Sequence, residues 1–236
     1  LEFKKYSSIE NSFNREFMQQ TAYDFMKNVL YEELGVRTLV IGYDNRFGHD
    51  RSSGFDDYVE YGKQTGIWVI RSQAFVLHGI NVSSSVIREM LAEGDVERAH
   101  DCLGYPYTLE GTVVHGEQNG RKMGFPTANL DQHGSGQLLP AAGVYAVGVR
   151  TDASQILRHG MLNIGHRPTF GGTTISVEVN IFNWTGDLYG REITVSFLHH
   201  IREERKFDSM EELEQQLEKD KEHIEQLLKK DYERNE

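Results

Sequence analysis

The sequence predicts two architectures in succession: a Rossmann-like α/β segment over residues 1–104, and a small antiparallel β-barrel with a C-terminal helix over residues 105–236. Before Gly104, apolar residues at helical spacing alternate with short unbroken apolar runs, which is typical of a doubly wound sheet. From Tyr107 to about Ile201 only short β-rich runs occur, separated by turns that contain glycine, and this pattern indicates a small barrel. An apolar stripe at helical spacing then runs to the end of the sequence.

The α/β segment opens with a predicted helix, because apolar residues recur at helical spacing from Phe17 to Leu30 before Gly35 stops the pattern. Two apolar runs without alternation favour buried parallel strands, and three further stretches favour helices. The serine run at residues 83–85 and Asp95 supply side chains that cap helices. We therefore expect strands at 38–41 and 67–70, and helices at 55–64, 85–92 and 95–103.

The second segment contains five β-rich runs and a final helix. The helix is expected to start at a capping-box-like pair, Asp208 with Glu211, and to dock its apolar stripe on the barrel. The predicted strands are Thr112–His115, Val144–Val149, Ile156–Ile164, Thr174–Phe182 and Ile193–Leu198.

Composition excludes several classes of function. The formal net charge of −11 argues against a large nucleic-acid surface, although a few local cations and backbone amides are enough for a small anionic ligand. No apolar run is long enough to span a bilayer, so we expect no membrane partner. The single cysteine, Cys102, excludes an internal disulfide and a multi-cysteine zinc site, which favours a reducing, cytoplasmic setting.

A glycine-rich stretch is the first candidate for chemistry. Gly116, Gly120 and Gly124 recur at every fourth residue, and glycines let backbone N–H groups approach a polyphosphate closely. Arg121 and Lys122 add positive charge beside them. The stretch is not a Walker A loop, because no Gly-Lys-Ser/Thr follows. The alternative is an ordinary hairpin with glycine turns.

The next element is Pro-Thr-Ala-Asn, residues 126–129. Proline favours an extended chain before it, and in an extended chain Thr127 and Asn129 project to the same side. Mg²⁺ takes one or two protein oxygens and fills its remaining positions with phosphate and water, so these two side chains suit a metal shared with ATP. The alternative is a Thr and an Asn that satisfy a turn.

Glu178 is a candidate general base, because a carboxylate on a rigid strand can accept the proton of an attacking hydroxyl. In the run from Thr174 to Phe182, Ser176, Glu178 and Asn180 share one face of the predicted strand. The alternative is a solvent-facing glutamate on an edge strand.

Several blocks in order closely resemble the riboflavin kinase family: GTVVHGEQNGRKMGFPTANL, PAAGVYAV, GMLNIGHRPTFGG, SVEVNIFNWTGDLYGREITVSF and REERKFDS. The resemblance implies a six-stranded antiparallel barrel that transfers the γ-phosphate of ATP to riboflavin and releases FMN. It implies that Thr127 and Asn129 are the Mg²⁺-ATP ligands, that Glu178 is the base, and that the loop 116–124 covers the ATP phosphates. It also places the flavin near residues 202–207, where Phe207 either packs on the isoalloxazine edge or anchors the helix.

Two blocks of the first segment resemble the FMN adenylyltransferase domain that precedes the kinase in bacterial bifunctional FAD synthetases: VIGYDNRFG at 40–48 and VSSSVIR at 82–88. The resemblance assigns phosphate binding to Ser85 and Arg88, and a plain N-cap with a surface arginine is the alternative. None of the ten histidines belongs to the His-x-Gly-His motif of that family. We therefore expect an adenylyltransferase domain whose early part is missing, with FMN as product and FAD only in a longer chain. A non-catalytic flavin-binding barrel is the rival interpretation.

Overall fold

The structure is a computed structural model, and it describes residues 15–42, 45–49, 51–116, 120, 124–131, 136–151, 154–169 and 172–234. The chain forms two compact units, residues 1–81 and 82–236. The division differs from the sequence boundary expected at residue 104, because the two helices before that residue group with the barrel. None of the described helices is both long and apolar enough to cross a membrane.

The described part of the first unit begins with short helices that continue as a π-helix, where the sequence predicted a regular helix. The Thr21 hydroxyl caps the second of them by accepting a hydrogen bond from the Asp24 N–H at 3.1 Å. At the end of the π-helix the Leu34 N–H donates to the Val29 carbonyl, five residues back, at 2.9 Å. The helices are α1 (Arg15–Met18), α2 (Ala22–Asp24), the π-helix (Phe25–Glu33) and α3 (Phe55–Thr65).

The predicted parallel strands of this unit are confirmed, but the prediction that they are buried on both faces is wrong. Strands β1 (Thr38–Ile41) and β2 (Trp68–Arg71) pair in parallel. Val40 is 61% exposed and Trp68 is 72% exposed, because among the described residues only the opposite face of the pair packs on a core. A short hairpin follows, formed by β3 (Val76–Leu77) and β4 (Ile80–Asn81).

The second unit starts with the two capped helices that the serine run and Asp95 predicted. The Ser83 hydroxyl accepts from the Val86 N–H at 3.3 Å, and the Asp95 carboxylate accepts from the Arg98 N–H at 3.1 Å. Gly104 ends the second helix with φ +79°, a conformation that glycine adopts without steric cost. The helices are α4 (Ser84–Ala92) and α5 (Val96–Leu103).

Six antiparallel strands close into a barrel, as expected, in the order β10-β5-β6-β9-β8-β7. Strand β6 was not among the five predicted β-rich runs, because it has only four residues and follows a proline. The apolar side chains of alternate positions fill the interior, including Leu109, Leu162 and Phe197, each fully buried. The strands are β5 (Thr108–Val114), β6 (Ala128–Asp131), β7 (Gly143–Thr151), β8 (Ser154–Thr169), β9 (Gly172–Ile181) and β10 (Glu192–Glu203).

Helix α6 (Met210–Arg234) docks on the barrel, as its apolar stripe predicted. Ile224 is fully buried against barrel side chains, whereas Met210 at the start of the stripe is 50% exposed. The cap differs by one position from the predicted pair, because the Ser209 hydroxyl accepts from the Glu212 N–H at 3.1 Å. The Glu212 carboxylate in turn accepts from the Asp208 N–H at 3.3 Å.

Candidate active site

The candidate site lies where strands β6 and β9 meet. The two strands pair over only two positions, Ala128 with Val179 and Asn129 with Glu178. Just before this pairing begins, the Thr127 hydroxyl donates to Glu178 Oε2 at 3.1 Å. The fold thus brings together the three residues that the sequence analysis selected, although Thr127 and Glu178 are 51 positions apart.

Glu178 does not lie on an edge strand. Strand β9 is hydrogen-bonded to β6 on one side and to β8 on the other, and the side chain is half-buried. The carboxylate accepts the hydroxyl hydrogen of Thr127, which leaves the lone pairs of Thr127 Oγ1 directed away from that bond. A hydroxyl in this state can still coordinate a cation.

Gly116 and Gly120 of the glycine motif lie close to two of these side chains, Asn129 and Thr127. A Cβ atom placed on Gly116 would lie 2.1 Å from Asn129 Nδ2, so only glycine fits there without displacing the amide. A Cβ on Gly120 would lie 2.2 Å from the Phe125 carbonyl oxygen and 3.3 Å from Thr127 Cγ2. Two glycines of the motif therefore allow the loop backbone to approach Asn129 and Thr127.

The other members of the glycine motif differ from these two. Gly124 has φ +78° and nothing within 4 Å of an added Cβ, so it serves the turn of the backbone and makes no close contact. The turn from Gly120 to Phe125 is held by a hydrogen bond from the Phe125 N–H to the Gly120 carbonyl at 2.9 Å. Arg121 and Lys122 lie outside the described residues.

A cleft of about 550 Å³ opens beside Thr127. The segment between β9 and β10 forms much of the wall of this cleft. The segment lies within the block SVEVNIFNWTGDLYGREITVSF, but the sequence alone gave it no role. An aromatic pair in that block was the available indication, because aromatic rings often form the walls of ligand sites. Its lining residues are Val113, Pro126, Thr127, Ala128, Val179, Ile181, Trp184, Thr185, Gly186, Asp187, Leu188 and Tyr189.

The cleft and the glycine loop share a border. The rings of His115 and Tyr189 stack with their centroids 3.7 Å apart, and His115 directly precedes Gly116. The stack connects the start of the glycine loop to the wall of the cleft.

Comparison with known proteins agrees with this geometry. The profile of the riboflavin kinase family matches residues 103–228, more than half of the chain, and the profile of the FAD synthetase family matches residues 6–86. A bifunctional riboflavin kinase/FMN adenylyltransferase from Haemophilus influenzae is 40% identical over 208 residues, which cover 88% of this chain and 67% of that protein. The chain belongs to this bifunctional family.

The riboflavin kinase region accounts for the barrel, and the FAD synthetase region for the first unit and the start of α4. The enzyme of the same description from Bacillus subtilis is 43% identical over 143 residues, 59% of this chain and 44% of its own length. The chain spans about two thirds of the length of the Haemophilus influenzae relative and of an Escherichia coli relative, 67% and 66%.

A solved structure has a fold similar to that of this chain. It is described as a macrolide-efflux protein from Streptococcus pneumoniae, and it matches with a TM-score of 0.80 at 33% identity. The match covers 90% of this chain and 67% of that chain.

Three predicted site residues of the family lie away from the cleft lining. Ser85 and Arg88 are exposed on α4, and Arg88 Nη1 donates to the Ser84 hydroxyl at 3.3 Å. Phe207 is half-buried, with the guanidinium carbon of Arg205 4.4 Å from its ring centroid. The structure thus gives Phe207 a cation–π contact beside the start of α6, and its contact with flavin stays a prediction.

The donor set at the β6–β9 pairing suits a cation that arrives with other ligands. Among the described residues, no three His, Cys, Asp or Glu side chains come together in a group that could hold a metal. Thr127 and Asn129 offer one hydroxyl and one amide oxygen, the number of protein ligands that Mg²⁺ takes when phosphate and water complete its shell. The amide of Asn129 is confined by Gly116, which fixes its position for such a role.

The first unit has a smaller cleft of about 240 Å³ within the region that matches FAD synthetase. Arg46 and Arg71 contribute to its lining, and Asn45 lies beside them. The guanidinium carbon of Arg71 is 5.3 Å from the Phe55 ring centroid. The two arginines are suitable for an anionic ligand.

Proposed function

We propose that this chain is a riboflavin kinase, which transfers the γ-phosphate of ATP to the 5′-hydroxyl of the ribityl chain of riboflavin to give FMN. The observation that carries the proposal is the convergence of Thr127, Asn129 and Glu178 at one strand pairing, beside a cleft whose wall residue Tyr189 stacks on His115, the residue before Gly116. Phosphoryl transfer requires positioning and charge neutralisation, and little covalent work by the protein. A site with one carboxylate, two neutral oxygen ligands and a glycine loop that offers backbone N–H groups meets that requirement.

ATP is assigned to the cleft, with its phosphates toward the loop at Gly116 and Gly120. Loop amides can donate to phosphate oxygens where glycine removes the side-chain barrier. Trp184 and Tyr189 provide aromatic surface for the base in the wall of the cleft. Thr127 and Asn129 would hold Mg²⁺ together with the β- and γ-phosphates, and the metal when bound neutralises charge on them.

Glu178 would act on the acceptor alcohol. The ribityl oxygen attacks the γ-phosphorus in line, the bond from that phosphorus to the β,γ-bridging oxygen breaks, and ADP leaves. The carboxylate receives the proton of the attacking hydroxyl, so no phosphoenzyme forms. The hydrogen bond from Thr127 holds the carboxylate toward the metal ligands, so that base and phosphate are positioned together.

Substitution Glu178→Gln tests the assignment. It keeps the size of the side chain and removes the base, so FMN formation should fall about 10²- to 10⁴-fold while ATP binding persists. Glu192→Gln is the matched control, because Glu192 is an exposed glutamate on strand β10 of the same barrel. FMN formation is followed by separating flavins after incubation with riboflavin, ATP and Mg²⁺. A Glu178→Gln rate within a few-fold of the control variant would refute the role of Glu178 as base.

Thr127→Ala tests the metal assignment separately. The substitution removes one metal ligand and leaves the apolar barrel intact, so ATP affinity in the presence of Mg²⁺ should fall while riboflavin affinity is retained. Titrations of each substrate measure this difference. Unchanged ATP affinity and unchanged Mg²⁺ dependence would contradict the assignment.

A second activity, the adenylylation of FMN to FAD in a longer chain, is the candidate for the first unit. The observation that favours it is the cleft lined by Arg46 and Arg71 within the region that matches FAD synthetase. Feeding FMN and ATP to the protein, with riboflavin fed to a parallel sample, separates the two activities. FAD formed from FMN would support the second activity, and flavin binding without either product would favour a non-catalytic barrel.

A further inference from the structure

The side chain of Asn180 makes a buried contact that none of the preceding roles uses. Asn180 is 7% exposed, and its Nδ2 donates to the Pro126 carbonyl oxygen at 2.7 Å. The two residues are 54 positions apart in sequence. Pro126 directly precedes Thr127, and Asn180 lies two residues after Glu178 on strand β9.

This contact lies at the end of a short strand pairing. The register of β6 and β9 stops at Ala128 with Val179, so Asn180 is the next residue of β9 beyond the last pair. Pro126 has no N–H and cannot take part in a ladder as a donor. The Asn180 amide therefore fixes the chain at the point where backbone pairing ends.

The peptide unit between Pro126 and Thr127 is consequently held from β9 at two points. Asn180 binds its carbonyl oxygen, and Glu178 accepts from the Thr127 hydroxyl at 3.1 Å. With the carbonyl held, rotation of this peptide is restricted, and the Thr127 side chain is directed to the side where Asn129 also lies. Two contacts from one rigid strand thus determine the orientation of a single hydroxyl.

We propose that Asn180 is a positioning residue that sets the orientation of Thr127 for the metal carried by the nucleotide. The inference rests on the proposed function, because it needs Thr127 to be a metal ligand. Outer partners that orient metal ligands commonly change metal affinity about 10- to 100-fold when they are removed. A residue that only stabilised the barrel would change the unfolding temperature and leave the metal dependence of nucleotide binding unchanged.

Two variants separate these roles. Asn180→Ala removes the amide donor, and Asn180→Asp keeps the shape of the side chain but replaces the donor by an acceptor. The carboxylate of Asn180→Asp adds negative charge near the site, which alone would favour a cation. A loss of metal-dependent binding in both variants therefore points to the missing hydrogen bond.

Ser176→Ala is the matched control. Ser176 lies on the same strand, two residues before Glu178, and its hydroxyl also donates to a backbone carbonyl, that of Gly165 at 3.5 Å. The control removes a side-chain to backbone hydrogen bond from β9 without touching Pro126 or Thr127.

The experiment measures ADP binding to the full 236-residue chain by calorimetry, once with Mg²⁺ and once with EDTA. The expected result is that both Asn180 variants lower ADP affinity in Mg²⁺ about tenfold or more. The affinity of Asn180→Ala in EDTA should stay close to that of wild type, because this variant adds no charge, and Ser176→Ala should match wild type in both conditions. Circular dichroism checks that each variant is folded.

If Mg²⁺ strengthens ADP binding equally in wild type and in the Asn180 variants, the inference about Asn180 fails while the proposed metal site stands. Equal losses of ADP affinity with and without Mg²⁺ would overturn it as well, because they would show a general effect on the cleft. If wild type itself bound ADP without any effect of Mg²⁺, the metal site of the proposed function would fail, and the inference with it. If one variant does not fold, the other decides between these outcomes.

Discussion

Gly116→Ala should disable the site by displacing Asn129. The added methyl carbon would lie 2.1 Å from Nδ2 and 2.7 Å from Oδ1 of Asn129, whereas ordinary contact begins at 3.4 Å. The amide or the loop backbone must therefore move by more than an ångström. Misplacement on that scale in an active site costs about 10²-fold in rate. We expect FMN formation to fall by about that factor.

The assay is FMN formation at saturating riboflavin with varied Mg²⁺-ATP, together with thermal unfolding. Gly136→Ala is the control, because Gly136 has φ +62° and nothing within 4 Å of an added Cβ. That substitution costs about 1–2 kcal/mol of backbone strain without reaching the site. Gly116→Ala should lose far more activity than the control at comparable stability. Equal activities would refute the close approach of the loop to Asn129.

Two further predictions concern the stability of the barrel unit. The pKa of His199 is raised by its hydrogen bond to Glu97 and its ion pair with Asp231. Burial alone would raise the pKa of Glu97, but its hydrogen bonds with His199 and with backbone N–H groups together lower it. The stability that His199 adds over His199→Gln should therefore be present below about pH 6.5 and should decline as pH rises through the raised pKa of His199. It should also decline when pH falls through the lowered pKa of Glu97. A difference in unfolding temperature that does not change with pH would contradict this. Arg202→Met should lower the free energy of unfolding, measured by chemical denaturation, by about 3 kcal/mol. The reason is that the Asp220 carboxylate, which is 3% exposed, loses the guanidinium that lies 2.9 Å away. A loss under about 1 kcal/mol would count against a stabilising role for this pair.

The barrel was predictable because its strands carry their own local evidence. Alternation in the run around Glu178 predicted which residues share a face, and the structure buries Val177 and Val179 as expected. The stripe of α6 likewise predicted docking, since apolar residues at helical spacing need a partner surface. Spacing in an extended chain predicted that Thr127 and Asn129 project to one side, and the fold places both at the β6–β9 pairing. Their role as metal ligands stays a prediction.

The rest depended on contacts that pattern cannot reveal. Glu178 looked like a solvent-facing residue by alternation alone, because alternation does not show that β9 is paired on both sides, with the distant β6 as well as with the adjacent β8. Asn180 shares its predicted polar face, yet it is buried, since a carbonyl 54 positions away satisfies its amide. The cleft wall at Trp184 and Tyr189 belongs to a connection without periodicity, so no strand or helix pattern selected it.

Helix α5 has a consequence for where an autonomous barrel must begin. Strand β10 pairs with β5 only as far as Ser196, so its later residues present backbone groups with a strand on one side alone. The Glu97 carboxylate of α5 accepts from the His200 N–H at 3.0 Å and so occupies part of this open edge. A fragment that starts at residue 105 would keep every residue assigned to the kinase reaction. It would, however, expose the unpaired backbone groups of that strand edge, which favours self-association. A fragment that starts at Val82 keeps helix α5 on this strand edge, so the helices before the barrel protect the barrel from self-association.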